Sequence, residues 1–76
     1  MMIRDEDLIP TSGEVPGLHA GDRVRYSDKC YTHLRGRLAR VKGFDQHGQV
    51  VTQPDGQDGY ATTRADHAVH HLIKVG

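Results

Sequence analysis

The feature that most constrains the fold is that the apolar residues occur in short runs, each bounded by a turn signal. Gly21 precedes residues 22 to 27, in which Val24 and Tyr26 share one face and the two arginines share the other. Alternation with a period of two predicts a half-buried β-strand. Because no segment shows a sustained apolar spacing of three to four residues, we expect no long amphipathic helix. The sequence therefore predicts an all-β domain.

The second segment, residues 37 to 44, alternates imperfectly. Leu38 and Val41 differ in parity, so a regular strand cannot turn both towards a core. We predict a β-bulge near Ala39 and Arg40 that brings Leu38 and Val41 inward, since bulges also bend small sheets until they close.

The rest of the chain predicts three more short strands and one helical turn. Residues 49 to 53 and 60 to 64 read as a pair of strands joined by a turn over residues 54 to 59, which contains Pro54, Gly56 and Gly59. Proline and glycine at such positions favour a tight hairpin. Residues 65 to 70 predict one helical turn capped by Asp66, and residues 72 to 75 predict a fifth strand.

The length of 76 residues allows one domain. We predict a flexible tail over residues 1 to 20, because prolines and glycines interrupt it, and a folded domain over residues 21 to 76. Docking of Leu8, Ile9 and Val15 on the domain, and shielding of basic residues by the acids of the tail, are the alternatives. With one Phe, three Tyr and no Trp, the core is thin, so a homo-oligomer is a further alternative.

The order of strand, long loop over residues 27 to 36, strand, turn, strand, tight turn, strand, helical turn and strand resembles the SH3-like barrels. Residues 21 to 25, Gly-Asp-Arg-Val-Arg, and residues 36 to 38, Gly-Arg-Leu, resemble the opening of KOW and Tudor-type domains and of plasmid-borne type II dihydrofolate reductases. Val69, Leu72 and Val75 are similar to the closing pattern of those reductases. The resemblance implies a small five-stranded SH3-like barrel with a short helical turn before the last strand and a disordered N-terminal tail.

The resemblance carries over no catalytic residue. In the type II reductases, a Val-Gln-Ile-Tyr stretch and a lysine just after Gly-Asp-Arg-Val-Arg form the active site of a homotetramer. Here Tyr26 follows that motif, Lys29 lies three residues further on, and Val-Gln-Ile-Tyr does not occur. We therefore predict no enzyme and no cofactor, and an NADPH-dependent dihydrofolate reductase is kept as a minor alternative.

The charge distribution points to an anionic partner. Residues 21 to 44 carry seven basic and two acidic side chains, although the formal net charge of the chain is zero. Cations on adjacent strands share one face, and Tyr31 in the long loop is the best candidate for stacking. The expected binding residues are Arg23, Arg25, Lys29, Tyr31, Arg35, Arg37, Arg40 and Lys42. We predict a non-enzymatic accessory or regulatory binding module for nucleic acid or for an acidic protein surface, with a protein-interaction or self-assembling module as the alternative.

Other chemistry has weaker support. His67, His70 and His71 share a helical face and are a weak candidate for a metal site, which usually needs four ligands. Cys30 has His33 three residues on, but no motif supplies a third catalytic group. Because Cys30 is the single cysteine, no intramolecular disulfide forms. No apolar run approaches the roughly 20 residues that span a membrane, and no secretory signal is recognisable, so we predict a cytoplasmic protein with no membrane partner.

Overall fold

The computed structural model describes residues 4–30 and 33–75, and it is mostly β. Five antiparallel strands form one sheet with the order β4-β3-β2-β1-β5. The prediction of an all-β fold with five short strands and one short helical element is confirmed. The strands and the helix are β1 (Arg23–Tyr26), β2 (Leu38–Phe44), β3 (Val50–Pro54), β4 (Ala61–Thr63), α1 (Ala65–His71) and β5 (Leu72–Val75).

The sheet is compatible with a small SH3-like fold. Strand β1 pairs with β2 on one side and with β5 on the other. Helix α1 connects the two edge strands, β4 and β5, and contacts both. Its N-cap residue is Arg64, which makes no side-chain capping hydrogen bond. Asp66 lies within the first turn and pairs with Arg64 at 3.3 Å, so the prediction that Asp66 caps the helix is wrong.

A single apolar core lies on the inner face of the sheet. Most of its side chains come from alternate positions of the strands, as the period-two pattern requires. Tyr26 is buried, and its hydroxyl lies 2.5 Å from the hydroxyl of Thr52. Burial raises the pKa of Tyr26 above its ordinary value. The core consists of Val15, Leu18, Val24, Tyr26, Cys30, Leu34, Ala39, Val41, Phe44, Val50, Ala68 and Leu72.

The β-bulge lies later in β2 than the sequence pattern predicts. Leu38 faces outward and is 40% exposed, whereas Ala39 and Val41 face the core without any irregularity. The register shifts between Val41 and Gly43. Because of this shift, Val41 and Phe44 are both buried although they differ in parity. The bulge therefore resolves a conflict between these two residues, and the predicted conflict between Leu38 and Val41 does not arise.

The structure differs from the expected flexible tail over residues 4 to 20. A short 3-10 helix spans Asp5–Asp7, and isolated bridges join Ile9 to Phe44 and Thr11 to His19. Val15 and Leu18 are buried members of the core. The alternative named docking of Leu8, Ile9 and Val15 on the domain; the structure shows Ile9 bridged to Phe44 and Val15 buried. Leu18, which the alternative did not name, is buried as well.

Candidate anion-binding face

Register and alternation bring two pairs of cations to the outer face of the sheet. Arg23 and Arg25 alternate with buried residues along β1, and Arg40 and Lys42 do so along β2. Arg23 lies directly opposite Arg40 in the ladder. Like charges at opposed positions are destabilising unless an anion compensates them. We call these four residues the cationic face.

Asp55, which directly follows β3, supplies the compensating anion for Arg23. The two guanidinium nitrogens Nη1 and Nη2 donate to the two carboxylate oxygens at 3.0 and 2.8 Å. The backbone N–H of Asp55 donates to the carbonyl of Leu38 at 2.9 Å, which fixes its position beside β2. The hydrogen bonds from Arg23 hold the pKa of Asp55 below its usual value, with Arg40 adding a smaller effect. The same contacts raise the pKa of Arg23.

Arg25 and Arg40 are exposed and differ from Arg23 and Lys42 in their contacts. Within residues 4–30 and 33–75, neither takes part in an ion pair or a side-chain hydrogen bond. Arg25 lies between Leu38 on β2 and Ile73 on β5, which are 40% and 41% exposed. The outer face therefore combines guanidinium groups that make no direct ion pair within the described residues with accessible apolar surface.

Lys42 lies at the other end of the cationic face and contacts the N-terminal segment. Its ammonium nitrogen is 4.0 Å from the Asp5 carboxylate and 5.7 Å from the ring centroid of Tyr60. The hydroxyl of Tyr60 donates a hydrogen bond to the same carboxylate. This hydrogen bond raises the pKa of Tyr60 above its ordinary value, because the carboxylate favours the protonated phenol.

An open groove of about 510 Å³ runs beside these cations. Arg23, Arg40 and Lys42 line one side, and residues 53–58 of the β3–β4 hairpin line the other. Gly56 adopts a φ of 78° in this hairpin, a conformation that glycine accepts readily. The hairpin sequence predicted the turn, but only the fold shows that the turn brings Asp55 to the cationic face.

The loop residues of the predicted binding set do not join the cationic face as a group. Arg35 donates through Nε to the carbonyl of Cys30 at 2.8 Å, and Arg37 contacts the side-chain oxygen of Gln57 at 3.4 Å. Lys29 is exposed in the turn after β1. Tyr31, the predicted stacking residue, lies outside the described residues. The strand members of the predicted set are therefore brought together, whereas Arg35 is held by its own loop.

The histidine cluster is divided by the geometry of α1. The rings of His67 and His71 lie with centroids 5.3 Å apart. The side chain of His70 is exposed, and its backbone carbonyl accepts a hydrogen bond from the Ser27 hydroxyl at 2.5 Å. In the described part of the chain, no group of three or more metal-ligating side chains is present. Cys30 is buried in the core.

Comparisons with protein-family models, with curated proteins and with solved structures find no match to this chain. Among the described helices, none is both long and apolar enough to cross a membrane. The functional assignment therefore depends on the fold and on the charges that it places side by side.

Proposed function

We propose that this protein is a non-enzymatic binding module of the SH3-like barrel class, which recognises an anionic partner through the cationic face. The observation that carries the proposal is that Arg25 and Arg40 are exposed and lack an ion pair in the described part of the chain. Both guanidinium groups are exposed on strands and have no ion-pair partner within the described residues. An arginine offers a planar set of donors that matches a carboxylate or a phosphate.

The surroundings of these two arginines support the proposal. Their backbones belong to paired strands, so their positions are set by the sheet and little backbone ordering is needed on binding. Asp55 of the same chain engages Arg23 with both oxygens, and this bidentate geometry supports recognition of a carboxylate by the neighbouring arginines. A partner anion beside Arg40 would relieve the remaining repulsion between the two opposed arginines.

A salt-dependent binding measurement tests the proposal. We would titrate the full chain against a labelled single-stranded oligonucleotide, a duplex and a glutamate-rich peptide, using fluorescence anisotropy at several salt concentrations. Affinity for a phosphate backbone is expected to fall steeply with salt, because counterions are released at each neutralised phosphate.

Matched variants locate the surface. Arg25→Ala with Arg40→Ala removes two cations that make no direct ion pair within the described residues, and it is expected to weaken binding about tenfold or more, as for the loss of two charged contacts. The control is Arg64→Ala with Lys74→Ala, which makes the same change in net charge. Arg64 pairs with Asp66, and Lys74 pairs with Asp22 and alternates with the outward Ile73. Equal weakening by both double variants, or no binding of any probe at low salt, would contradict the proposal.

Self-assembly is the second candidate, and the exposed Leu38 and Ile73 favour it. Light scattering over a range of concentrations measures it directly, and Leu38→Ser with Ile73→Ser should lower the observed mass if these side chains form the contact. The type II reductase is kept as a third proposal. A concentration-independent monomer, or no oxidation of NADPH in the presence of dihydrofolate, would remove it.

A further inference from the structure

The N-terminal segment, residues 4 to 9, lies on one end of the cationic face in the manner of a bound peptide. The N–H of Ile9 donates to the carbonyl of Phe44 at 2.8 Å, and the N–H of Phe44 donates to the carbonyl of Ile9 at 2.8 Å. Four residues earlier in the segment, the Asp5 carboxylate contacts Lys42 and Tyr60. The segment is therefore held by backbone pairing at one end and by a carboxylate at the other.

The backbone pairing is possible because the pairing of β2 with the segment that leads into β1 ends at Val41, whose carbonyl accepts a hydrogen bond from the N–H of Gly21 at 2.7 Å. Strand β1 pairs with β2 only from Leu38 to Arg40. Beyond that point, the N–H of Val41 donates to the carbonyl of Asp22, and Phe44 pairs with Ile9. An unpaired strand edge is a template for an added peptide strand, which supplies the missing donors and acceptors.

Gly43 allows the segment to approach β2 closely. Its φ is 148°, and a Cβ at this position would lie 2.9 Å from the Cβ of Leu8 and 2.9 Å from the carbonyl oxygen of Ile9. Val51 lies opposite Gly43 in the ladder and is fully buried although it is not a member of the core cluster. The burial of Val51 is consistent with the N-terminal segment covering the outer face of the sheet at this position.

The side chains hold the segment only weakly. The side chain of Asp5 is 67% exposed and that of Lys42 is 27% exposed, and Ile9 is 50% exposed. Exposed ion pairs contribute little to stability because water and salt screen them. A competing peptide with the same groups could therefore replace the segment.

Resting on the proposed function, we propose that the surface formed by Lys42, Gly43, Phe44 and Tyr60 is a docking site for an extended acidic peptide of a partner protein. Residues 4 to 9 occupy it as an intramolecular stand-in. The partner segment carries a carboxylate followed, three and four residues later, by two apolar residues, as Asp5 precedes Leu8 and Ile9.

The contacts favour a peptide over a nucleic acid at this end of the face. Phe44 offers both a backbone donor and a backbone acceptor, and a peptide satisfies both with one residue, as Ile9 does. A nucleic-acid backbone has no amide N–H to donate to the Phe44 carbonyl. Lys42 lies over the half-buried ring of Tyr60, and Asp5 accepts a hydrogen bond from the Tyr60 hydroxyl, so a base that stacked on that side of the ring would have to displace Lys42.

A trans-binding experiment tests the proposal with the full chain. The probe is a labelled peptide with the sequence of residues 4 to 11, Arg-Asp-Glu-Asp-Leu-Ile-Pro-Thr. Asp5→Asn in the chain weakens the intramolecular competitor, so the peptide should bind this variant about three- to tenfold more tightly than the wild type, as expected for one lost charged contact. The control is Glu6→Gln, which makes the same change in charge but removes a carboxylate that contacts Arg4, and it should leave the affinity unchanged.

A second measurement locates the peptide and does not depend on any variant. Amide signals of Gly43, Phe44 and Tyr60 should shift when the peptide is added to the wild-type chain. Shifts confined to other residues, or equal affinities of the Asp5→Asn, Glu6→Gln and wild-type chains, would overturn the docking site. Oligonucleotide binding that depends on Arg25 and Arg40 would still support the proposed function in that case. Formation of a dimer as the chain concentration rises, with the same three amides shifting, would overturn the partner assignment and identify a second copy of this chain as the occupant.

Discussion

The inner and outer faces of the β1–β2 ladder share one backbone register and have opposite chemistry. On the inner face, Val24 and Ala39 are opposed and fully buried. One position away, Arg23 and Arg40 are opposed on the outer face. Because side chains alternate, a slip of one residue would exchange the two faces. The register that closes the core therefore also brings two like charges together, and Asp55 offsets the cost.

The largest effect should come from placing a charge on the inner face. Val50→Asp would bury a carboxylate at a position with no exposure, at a cost of several kcal/mol. A domain of this size has a total stability of only about 4–11 kcal/mol, so we expect the variant to be unfolded by circular dichroism. Thr62→Asp on β4, where the side chain is exposed, is the matched control, and a folded Val50→Asp chain would contradict the assignment of the inner face.

A smaller effect is expected from the buried hydroxyl pair of Tyr26 and Thr52. Thr52→Val leaves the buried tyrosine hydroxyl without its hydrogen-bond partner, so the free energy of unfolding should fall by about 1–3 kcal/mol. Tyr26→Phe should cost less, about 1 kcal/mol, because the Thr52 hydroxyl retains the carbonyl of Ala61 at 3.4 Å. Denaturant titrations of both single variants and the double variant measure the coupling, and purely additive costs would show that the two hydroxyls do not interact.

Acidification should act mainly through two carboxylates, Asp55 and Asp22, whose pKa values are lowered in the folded protein. The pKa of Asp55 is lowered by Arg23, and the pKa of Asp22 is lowered first by the backbone N–H of His19 and further by Lys74. A carboxyl group whose folded pKa is depressed stabilises the fold above its ordinary pKa, and this stabilisation is lost as the pH falls through the folded value. Thermal melting between neutral pH and pH values below the ordinary carboxyl pKa should show the loss. Asp55→Asn should make the loss shallower, and an unchanged slope would contradict the role of the Arg23–Asp55 pair.

The smallest effect on stability is expected from the residues that matter most for the proposed function. Arg25→Ala with Arg40→Ala removes no ion pair, so the free energy of unfolding should change by no more than about 0.5 kcal/mol per site. Denaturant titration beside the anisotropy measurement separates the two properties. A large loss of stability would show that these arginines serve the fold.

Local patterns predicted the strands well, because the alternation of apolar and polar residues within a segment indicates which of its own side chains are buried. The fifth strand, Leu72–Val75, has the predicted bounds, and the alternation around Val24 and Tyr26 identified β1. The opposition of Arg23 and Arg40 could not be predicted, since it depends on a register between distant segments. The position of the bulge depends on the same register, because only pairing with β3 shows which residues of β2 must face the core.

The docking of residues 4 to 20 gave almost no sequence signal. Val15 and Leu18 are single apolar residues among prolines and glycines, with no strand or helix period to reveal a buried face. Their burial follows from the needs of the whole domain, whose other segments contribute few large apolar side chains. The contact of Asp5 with Lys42 and Tyr60 depends on this docking, so it could not be predicted from the sequence either.

Strand β5 lies at one edge of the sheet, and among the described strands it pairs only with β1, which has a consequence for how concentrated solutions of this protein should behave. Its outer edge presents backbone amide groups to a neighbouring molecule, and the exposed side chain of Ile73 adds apolar surface beside them. Lys74 belongs to this edge strand, and its side chain is 52% exposed in its pair with Asp22. A lysine on an edge strand disfavours edge-to-edge association of one molecule with the next, so we expect Lys74→Val to make concentrated solutions of this protein more prone to aggregate.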